Sequence, residues 1–425
     1  MEQIFKLSHE FSETLDEIEN GGDHLFITGK AGTGKSTLLD LFRRSTSNNI
    51  AILAPTGIAA LRVNGQTIHS FFKLPPRLVL PGDINIKPGI VRLCKKLEIL
   101  IIDEISMVRA DVLDGIDRML RLHRQNPNPF GGVRIVLFGD IYQLPPIVSS
   151  IEEKKYFQTV YETPYFFSSF VWKELENIQF INLQKVYRQT DRNFINLLDE
   201  IRSGDVDYDS LIDLNERSEA DFDEDQGYIY LSPRNATMQR INQSKLDALE
   251  SPERAYLGNI TGEYNPAYMP TEQILKLKNG AQVMFIKNDL EKQYVNGSIG
   301  TILDMEPNNI KVRIEVSGKE VNVSKTTWDM VRYKENDNSI KPEVVGTYEQ
   351  FPLKLAWAMS IHKSQGQTFD KVILDMEGGA FEFGQTYVAL SRCRTLEGIV
   401  LKRPLRMRDI MVDERVVDFY MNHFR

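Results

Sequence analysis

The stretch that most constrains this chain is Gly29-Lys30-Ala31-Gly32-Thr33-Gly34-Lys35-Ser36, set directly after the apolar run His24-Leu25-Phe26-Ile27. It matches the phosphate-loop pattern at every fixed position. Its glycines let the backbone turn tightly so that several N–H groups converge on one phosphate, and a following helix adds the positive end of its dipole. Gly29, Ala31, Gly32, Thr33, Gly34, Lys35, Ser36 and Thr37 are therefore predicted to cradle a nucleoside triphosphate. Lys35 would neutralise the β- and γ-phosphates, and Ser36 would ligate Mg²⁺.

A length of 425 residues exceeds what one hydrophobic core supports and predicts two or three domains. Cys94 and Cys393 stand far apart, in neither a redox nor a zinc spacing, which excludes a disulfide framework and fits a reducing, cytosolic compartment. Met1–Lys6 lacks a basic segment leading into an apolar core, and the chain has no apolar run of about 18 residues, so a soluble, unprocessed protein is expected. The net charge of −8 argues at first against a polyanionic partner. Yet Asp199–Asp225 holds twelve acidic residues and two arginines, a local −10 that leaves +2 on the remainder. That segment reads as a solvated helix and loop without function.

The first half alternates apolar runs with helical patterns, the rhythm of a doubly wound parallel sheet. The runs are His24–Thr28, Ile50–Ala54, Ile99–Ile102 and Val133–Phe138. Ligands of such sheets sit beyond the carboxyl ends of the strands, so the residues after each run should carry the chemistry. Asp103 follows Ile99–Ile102 and suits a Mg²⁺ ligand; Glu104, next to it, suits a base that orients and deprotonates water. After Val133–Phe138, Gln143 can sense the γ-phosphate and the water together, because an amide both donates and accepts.

After Ile50–Ala54 come Pro55, Thr56 and Gly57, then Thr67, His69, Ser70, Phe71 and Phe72. Small hydroxyls, an imidazole and adjacent aromatics suit a surface that tracks a single nucleic-acid strand. Phe71 and Phe72 equally suit a hydrophobic core, and His69 a buried hydrogen-bonding histidine.

Together these segments resemble the PIF family of DNA helicases, in the superfamily 1 branch that also holds the RecD-like enzymes. The resemblance spans nearly the whole chain: GKAGTGKS at Gly29, APTGIAA, GQTIHSFF, IIDEISMV ending at Val108, and FGDIYQLPP ending at Pro146. It continues through VYRQTD at Val186, LSPRNA at Leu231, SIHKSQGQTFDKV at Ser360 and YVALSRCRT ending at Thr395. Arg109-Ala110-Asp111 and Phe130-Gly131-Gly132 resemble the segment that sets this family apart from its relatives.

The resemblance implies an α/β fold of two RecA-like domains: residues 1–177, then 178–294 with 350–425. Residues 295–349 would form an inserted SH3-like barrel, in which Trp328 and Tyr333 stack on bases or fill the core. A Pro- and Gly-rich insertion at 74–92 takes the place of a duplex-splitting wedge. Arg188 and Arg392 would reach the γ-phosphate as arginine fingers. Asn235, His362, Lys363 and Ser364 would contact DNA, with Gly366 near the nucleotide. A metal site through His362 has no second histidine nearby. The family's adenine-binding glutamine is absent: the chain reads Leu7-Ser8-His9-Glu10-Phe11, which leaves Phe11 as an apolar wall.

The resulting expectation is an ATP- and Mg²⁺-dependent 5′-to-3′ helicase acting on single-stranded and tailed duplex DNA, with G-quadruplexes as a further substrate. It would work as a monomer or DNA-induced dimer, away from membranes, in repair, recombination and telomere maintenance. Its place would be the nucleoid of a bacterium, or otherwise a nucleus or mitochondrion. Two other classes stay open: an ATP-gated single-strand translocase or clamp, and a phosphate-loop ATPase working on a protein.

Overall fold

The computed structural model describes residues 8–424 except 149, 219, 223–226, 290, 292 and 337–338. The reading of the extreme N-terminus, including Leu7, and the acidic residues Glu219 and Asp223–Asp225 lie outside the described residues.

Six strands form the first sheet: β1 His24–Gly29, β2 Ile50–Ala54, β3 Gln66–Thr67, β4 Ile99–Ile102, β5 Arg134–Phe138 and β6 Ile178–Leu183. Their order is β3-β2-β4-β5-β1-β6, and every pairing is parallel. Because side chains alternate along a strand, each apolar run supplies both faces. Phe26, Leu100, Ile102, Ile135 and Leu137 pack into one core, while Leu25, Ile27, Ile99, Ile101, Val136 and Phe138 pack into the other. The four expected strands are thus present within a residue of their expected ends.

A second parallel sheet has the order Ala358–Ser360, Ile229–Ser232, Val372–Leu374, Ile399–Leu401. Two boundaries need correction. Ile178–Leu183 does not open the second domain but closes the first sheet, pairing along β1 from His24 to Gly29. The C-terminal helix Glu414–His423 also returns to the first domain, where Phe419 packs against Phe26, Phe166 and Trp172.

The insertion differs from a barrel confined to 295–349. Its five-stranded antiparallel sheet runs Glu320–Val323, Ile310–Ile314, Ile299–Met305, Gln282–Phe285, Leu353–Leu355, so two strands come from outside that range. Among the described residues the end strands, Glu320–Val323 and Leu353–Leu355, do not pair with each other, and an SH3-like closure is not seen. Strands Thr326–Asn336 and Ser339–Gln350 instead pair as a long antiparallel ribbon, joined by Asn259–Gly262. Trp328 stacks on Tyr348 within this unit. Tyr333 does neither of the things expected: it is buried against the first domain, beside Phe71. The Ile52 N–H donates to its hydroxyl at 3.0 Å, and the Ile340 N–H donates to Asn49 Oδ1 at 2.9 Å. β3 is two residues long and pairs with β2 at Leu53 and Ala54, so the ribbon satisfies a donor further back along β2 that the sheet leaves open.

The 74–92 insertion is irregular, as its prolines dictate, with two short 3₁₀ turns. It is pinned to helix Ala110–Arg124: the Val79 N–H donates to Asp111 at 2.8 Å and the Lys87 N–H to His123 Nε2 at 2.9 Å. Arg109 pairs with the same Asp111, while Asp117 accepts from the Phe130 N–H at 2.6 Å. The family-specific segment is therefore a scaffold for loops.

Candidate functional site

The phosphate loop lies at the junction of the two sheets. Gly32 and Gly34 adopt φ of +88° and +87°, where a side chain is strained. A Cβ on Gly32 would come within 2.5 Å of Arg188, and one on Gly34 within 2.8 Å of the Phe11 ring. Glycine is thus required both by conformation and by what packs on the loop. Lys35 opens the following helix, and its ammonium donates to the Gly29 and Lys30 carbonyls at 2.5 and 3.1 Å. Burial lowers its pKa, against the opposing pull of Asp140 and Glu104. Ser36 and Thr37 are exposed in the first turn.

Asp103 and Glu104 sit at the carboxyl end of β4. Asp103 is buried, and its pKa is pushed up to about 7, first by burial and then by the neighbouring Glu104 charge. A cation between these carboxylates would relieve that repulsion, and the hard oxygen donors of Asp103 and Ser36 suit Mg²⁺. Glu104 holds a left-handed backbone, φ 51°, uncommon for a residue other than glycine.

Arg188, from the segment after β6, and Arg392, from the second domain, converge on Ser391. Arg188 Nη1 donates to the Ser391 carbonyl at 3.0 Å, and Arg392 Nη2 donates to its hydroxyl at 2.7 Å. Burial brings Arg188 down to about 9, assisted by repulsion from Arg392, which burial brings to about 10. Two desolvated guanidiniums so close together favour an anion between the domains.

Several residues of this cleft carried no expected role. Arg202 pairs with the fully buried Asp140 at 2.9 Å and lies over the Tyr142 ring. The Tyr387 hydroxyl accepts from the Ala31 N–H at 2.9 Å and donates to Asp140 at 3.1 Å, joining phosphate loop, first sheet and second domain. Lys30 pairs with Asp199. The segment Asp199–Arg202 is therefore partly a domain contact and not a solvated face throughout. Gln143 bridges as well: its Oε1 accepts from Gln365 at 3.4 Å and its amide donates to Asp140 at 3.5 Å. The strand-end position of Asp140 was a usable signal; Arg202 was masked by its acidic neighbours.

The expected DNA-side residues divide. Pro55, Thr56, Gly57, His69 and Ser70 keep exposed or half-exposed surface, as do Asn235, His362 and Lys363. Phe71 does not: it is 2% exposed, packed edge-on against Phe72 and Tyr333, with no ring face for a base. Ser364 is fully buried and spends its hydroxyl on the Ile361 carbonyl at 2.7 Å. Thr67 is buried, accepts from the Ser70 N–H and meets the Tyr268 hydroxyl at 3.2 Å. Gly366 (φ +69°) faces the Arg62 guanidinium, since a Cβ there would sit 1.8 Å from Arg62 Nη1. Burial lowers the pKa of both His69 and His362. Among the described residues no cluster of three metal-ligating side chains occurs, and no helix is long and apolar enough to cross a membrane. Phe11 and Tyr187 meet edge-on at 5.9 Å beside Gly34, forming an aromatic wall next to the loop.

A phosphate loop on one parallel sheet, faced by the buried Arg392 from the domain of the second sheet and by the buried Arg188 from the segment after β6, defines a two-domain phosphate-loop protein of the RecA-like type. Residues 6–210 match the family described as PIF1-like helicase. The chain is 34% identical to the ATP-dependent DNA helicase Pif1 of Bdellovibrio bacteriovorus, over 98% of this chain and 92% of that one. It spans less than two thirds of the length of the vertebrate relatives it matches. Pif1 from Bacteroides sp. in complex with ADP-AlF4 superposes with a TM-score of 0.91 at 39% identity, covering 98% of each chain. Bacteroides Pif1 in complex with ADP-AlF3 and ssDNA has the same identity and coverage but a TM-score of 0.70. This chain belongs to the PIF1-like helicase family.

Proposed function

We propose that the chain is an ATP-dependent DNA helicase that moves 5′ to 3′ on single-stranded DNA and opens tailed duplexes, with G-quadruplexes as a further substrate. The observation that carries this reading is the cleft. Lys35, Asp103, Glu104 and Gln143 from the first domain face Arg392 from the second and Arg188 from the segment after β6, so a triphosphate held between them contacts both domains and a diphosphate mainly one. Lys35 binds the β- and γ-phosphates, Glu104 takes the water's proton, Gln143 senses the γ-phosphate and the arginines stabilise charge in the transition state. Mg²⁺, held by Ser36 and Asp103, would neutralise phosphate charge. Phe11 and Tyr187 provide an apolar wall for the base, which lowers discrimination among nucleobases relative to a hydrogen-bonding amide.

Single-stranded DNA would cross both domains along Pro55, Thr56, Gly57, His69 and Ser70, then Asn235, His362 and Lys363; a solved relative bound to ssDNA supports a strand on this fold. Alternating grip by the two domains converts closure into movement, with the protein acting as a monomer or a DNA-induced dimer.

The test uses two partial duplexes, one with a 5′ tail and one with a 3′ tail, with ATP and Mg²⁺ and Lys35→Ala as control. Opening of the 5′-tailed substrate alone is expected. Preference for the 3′ tail would overturn the polarity, and ATP hydrolysis stimulated by DNA without strand separation would leave a translocase or clamp.

A further inference from the structure

Arg62 ends the helix Gly57–Arg62 on the first domain, and its guanidinium spans the cleft. Nη2 donates to the Gln365 carbonyl at 2.9 Å, and Nη1 lies 4.0 Å from Glu104 Oε1. Gly366 makes room for it, since any side chain there would collide with the guanidinium. One cation therefore touches both the carboxylate assigned to water activation and the loop assigned to DNA phosphates. The side chains of Arg62 and Glu104 are only 22% and 18% exposed, so solvent screens the pair weakly.

We propose that Arg62 is a positioning residue that couples DNA contact to ATP hydrolysis. Without DNA, the Gln365 carbonyl holds the guanidinium beside Glu104, where it occupies the side of the carboxylate that would otherwise orient the water. When DNA phosphates engage His362 and Lys363, the guanidinium turns toward them and Glu104 is freed to accept the water's proton. The surroundings favour that turn. Lys354, paired with Met284 in the adjoining sheet, is brought down to about 7 by burial and by the charges of Lys363 and Arg62. Lys354, Lys363 and Arg62 thus lie close enough to repel one another, and an arriving phosphate draws them together.

This inference rests on the proposed roles of Glu104 and of the 362–363 loop, and the experiment separates them. Steady-state hydrolysis of Mg·ATP is measured with and without saturating oligo(dT), together with oligo(dT) affinity, for wild type, Arg62→Gln, Arg62→Lys and Glu104→Gln. Arg62→Gln removes the charge and is expected to raise the DNA-free kcat about tenfold, so that stimulation by DNA shrinks by the same factor. Arg62→Lys keeps the charge and should restore much of the DNA dependence. An unchanged stimulation ratio in Arg62→Gln, or a proportional loss of both rates, overturns the coupling role. If Glu104→Gln hydrolyses ATP at the wild-type rate, the reading of Glu104 fails and the coupling with it. An inactive Glu104→Gln beside an unchanged ratio in Arg62→Gln sinks the coupling alone.

Discussion

The proposed nucleotide side and the proposed DNA side of this molecule are built in opposite ways. On the nucleotide side, side chains from both domains are already engaged with one another: Asp140 with Arg202 and Tyr387, and Gln143 with Gln365. On the DNA side, polar groups are spent locally or covered. Thr56 caps its own helix by accepting from the Ala59 N–H, Ser70 accepts from Gln66, and Tyr268 lies over Gly57 and Thr67. Strand ends thus hold the proposed hydrolytic groups in place, whereas the proposed DNA surface is partly covered by Tyr268.

The largest expected effects break the nucleotide side. Lys35→Ala and Glu104→Gln should lower kcat by roughly 10³-fold or more, while single-strand affinity stays measurable. Steady-state hydrolysis with a binding titration checks this; rapid turnover by either variant would remove that residue from the site. Next comes the buried pair that ties the domains. Arg202→Leu leaves Asp140 buried and charged without its ion-pair partner, at a cost of about 3 kcal/mol read from denaturant unfolding.

The same pair sets a pH dependence. Burial would raise the Asp140 pKa, but Arg202 and Lys35 outweigh it and hold the carboxyl below its usual value. A depressed folded pKa stabilises the protein above the unfolded value of about 3.9, and that contribution fades as pH falls through the folded pKa. Thermal melts of Asp140→Asn should therefore lose less stability than wild type on acidification below about pH 4.

The DNA side gives smaller effects that sharpen the contrast. Tyr268→Ala uncovers Gly57 and Thr67, and single-strand binding should tighten about fivefold, the worth of roughly one hydrogen bond. Weaker or unchanged binding would mean that Tyr268 does not mask the strand's path. Smallest is the pair Lys363→Ala and Ser364→Ala. The first should lower the salt dependence of binding by about one charge, and the second should leave it unaltered, because that hydroxyl is turned inward.

What could be read from the sequence follows the same division. β1, β2, β4 and β5 are continuous apolar runs that stop at polar residues, so the strands and the places where they end were legible. β6 was not, because its residues are mostly half-exposed and lack the fully buried pattern. Phe419 lies just beyond the last second-domain motif in sequence, and only tertiary packing shows that it belongs to the first domain's core. Tyr333 carries no local sign that its hydroxyl serves a backbone donor in another domain. Arg62 and Arg202 were missed for a shared reason: each gains meaning from a partner across the cleft, at Gln365 and Asp140.

The central claim is that one cleft links the triphosphate to the grip on DNA. It is tested most directly by titrating a fluorescent oligo(dT) with the protein alone, with ADP, and with ADP plus aluminium fluoride, each repeated with Lys35→Ala. The account predicts that the transition-state mimic changes single-strand affinity at least about fivefold relative to ADP, and that Lys35→Ala abolishes the change. Equal affinities under all three conditions in the wild type would contradict it.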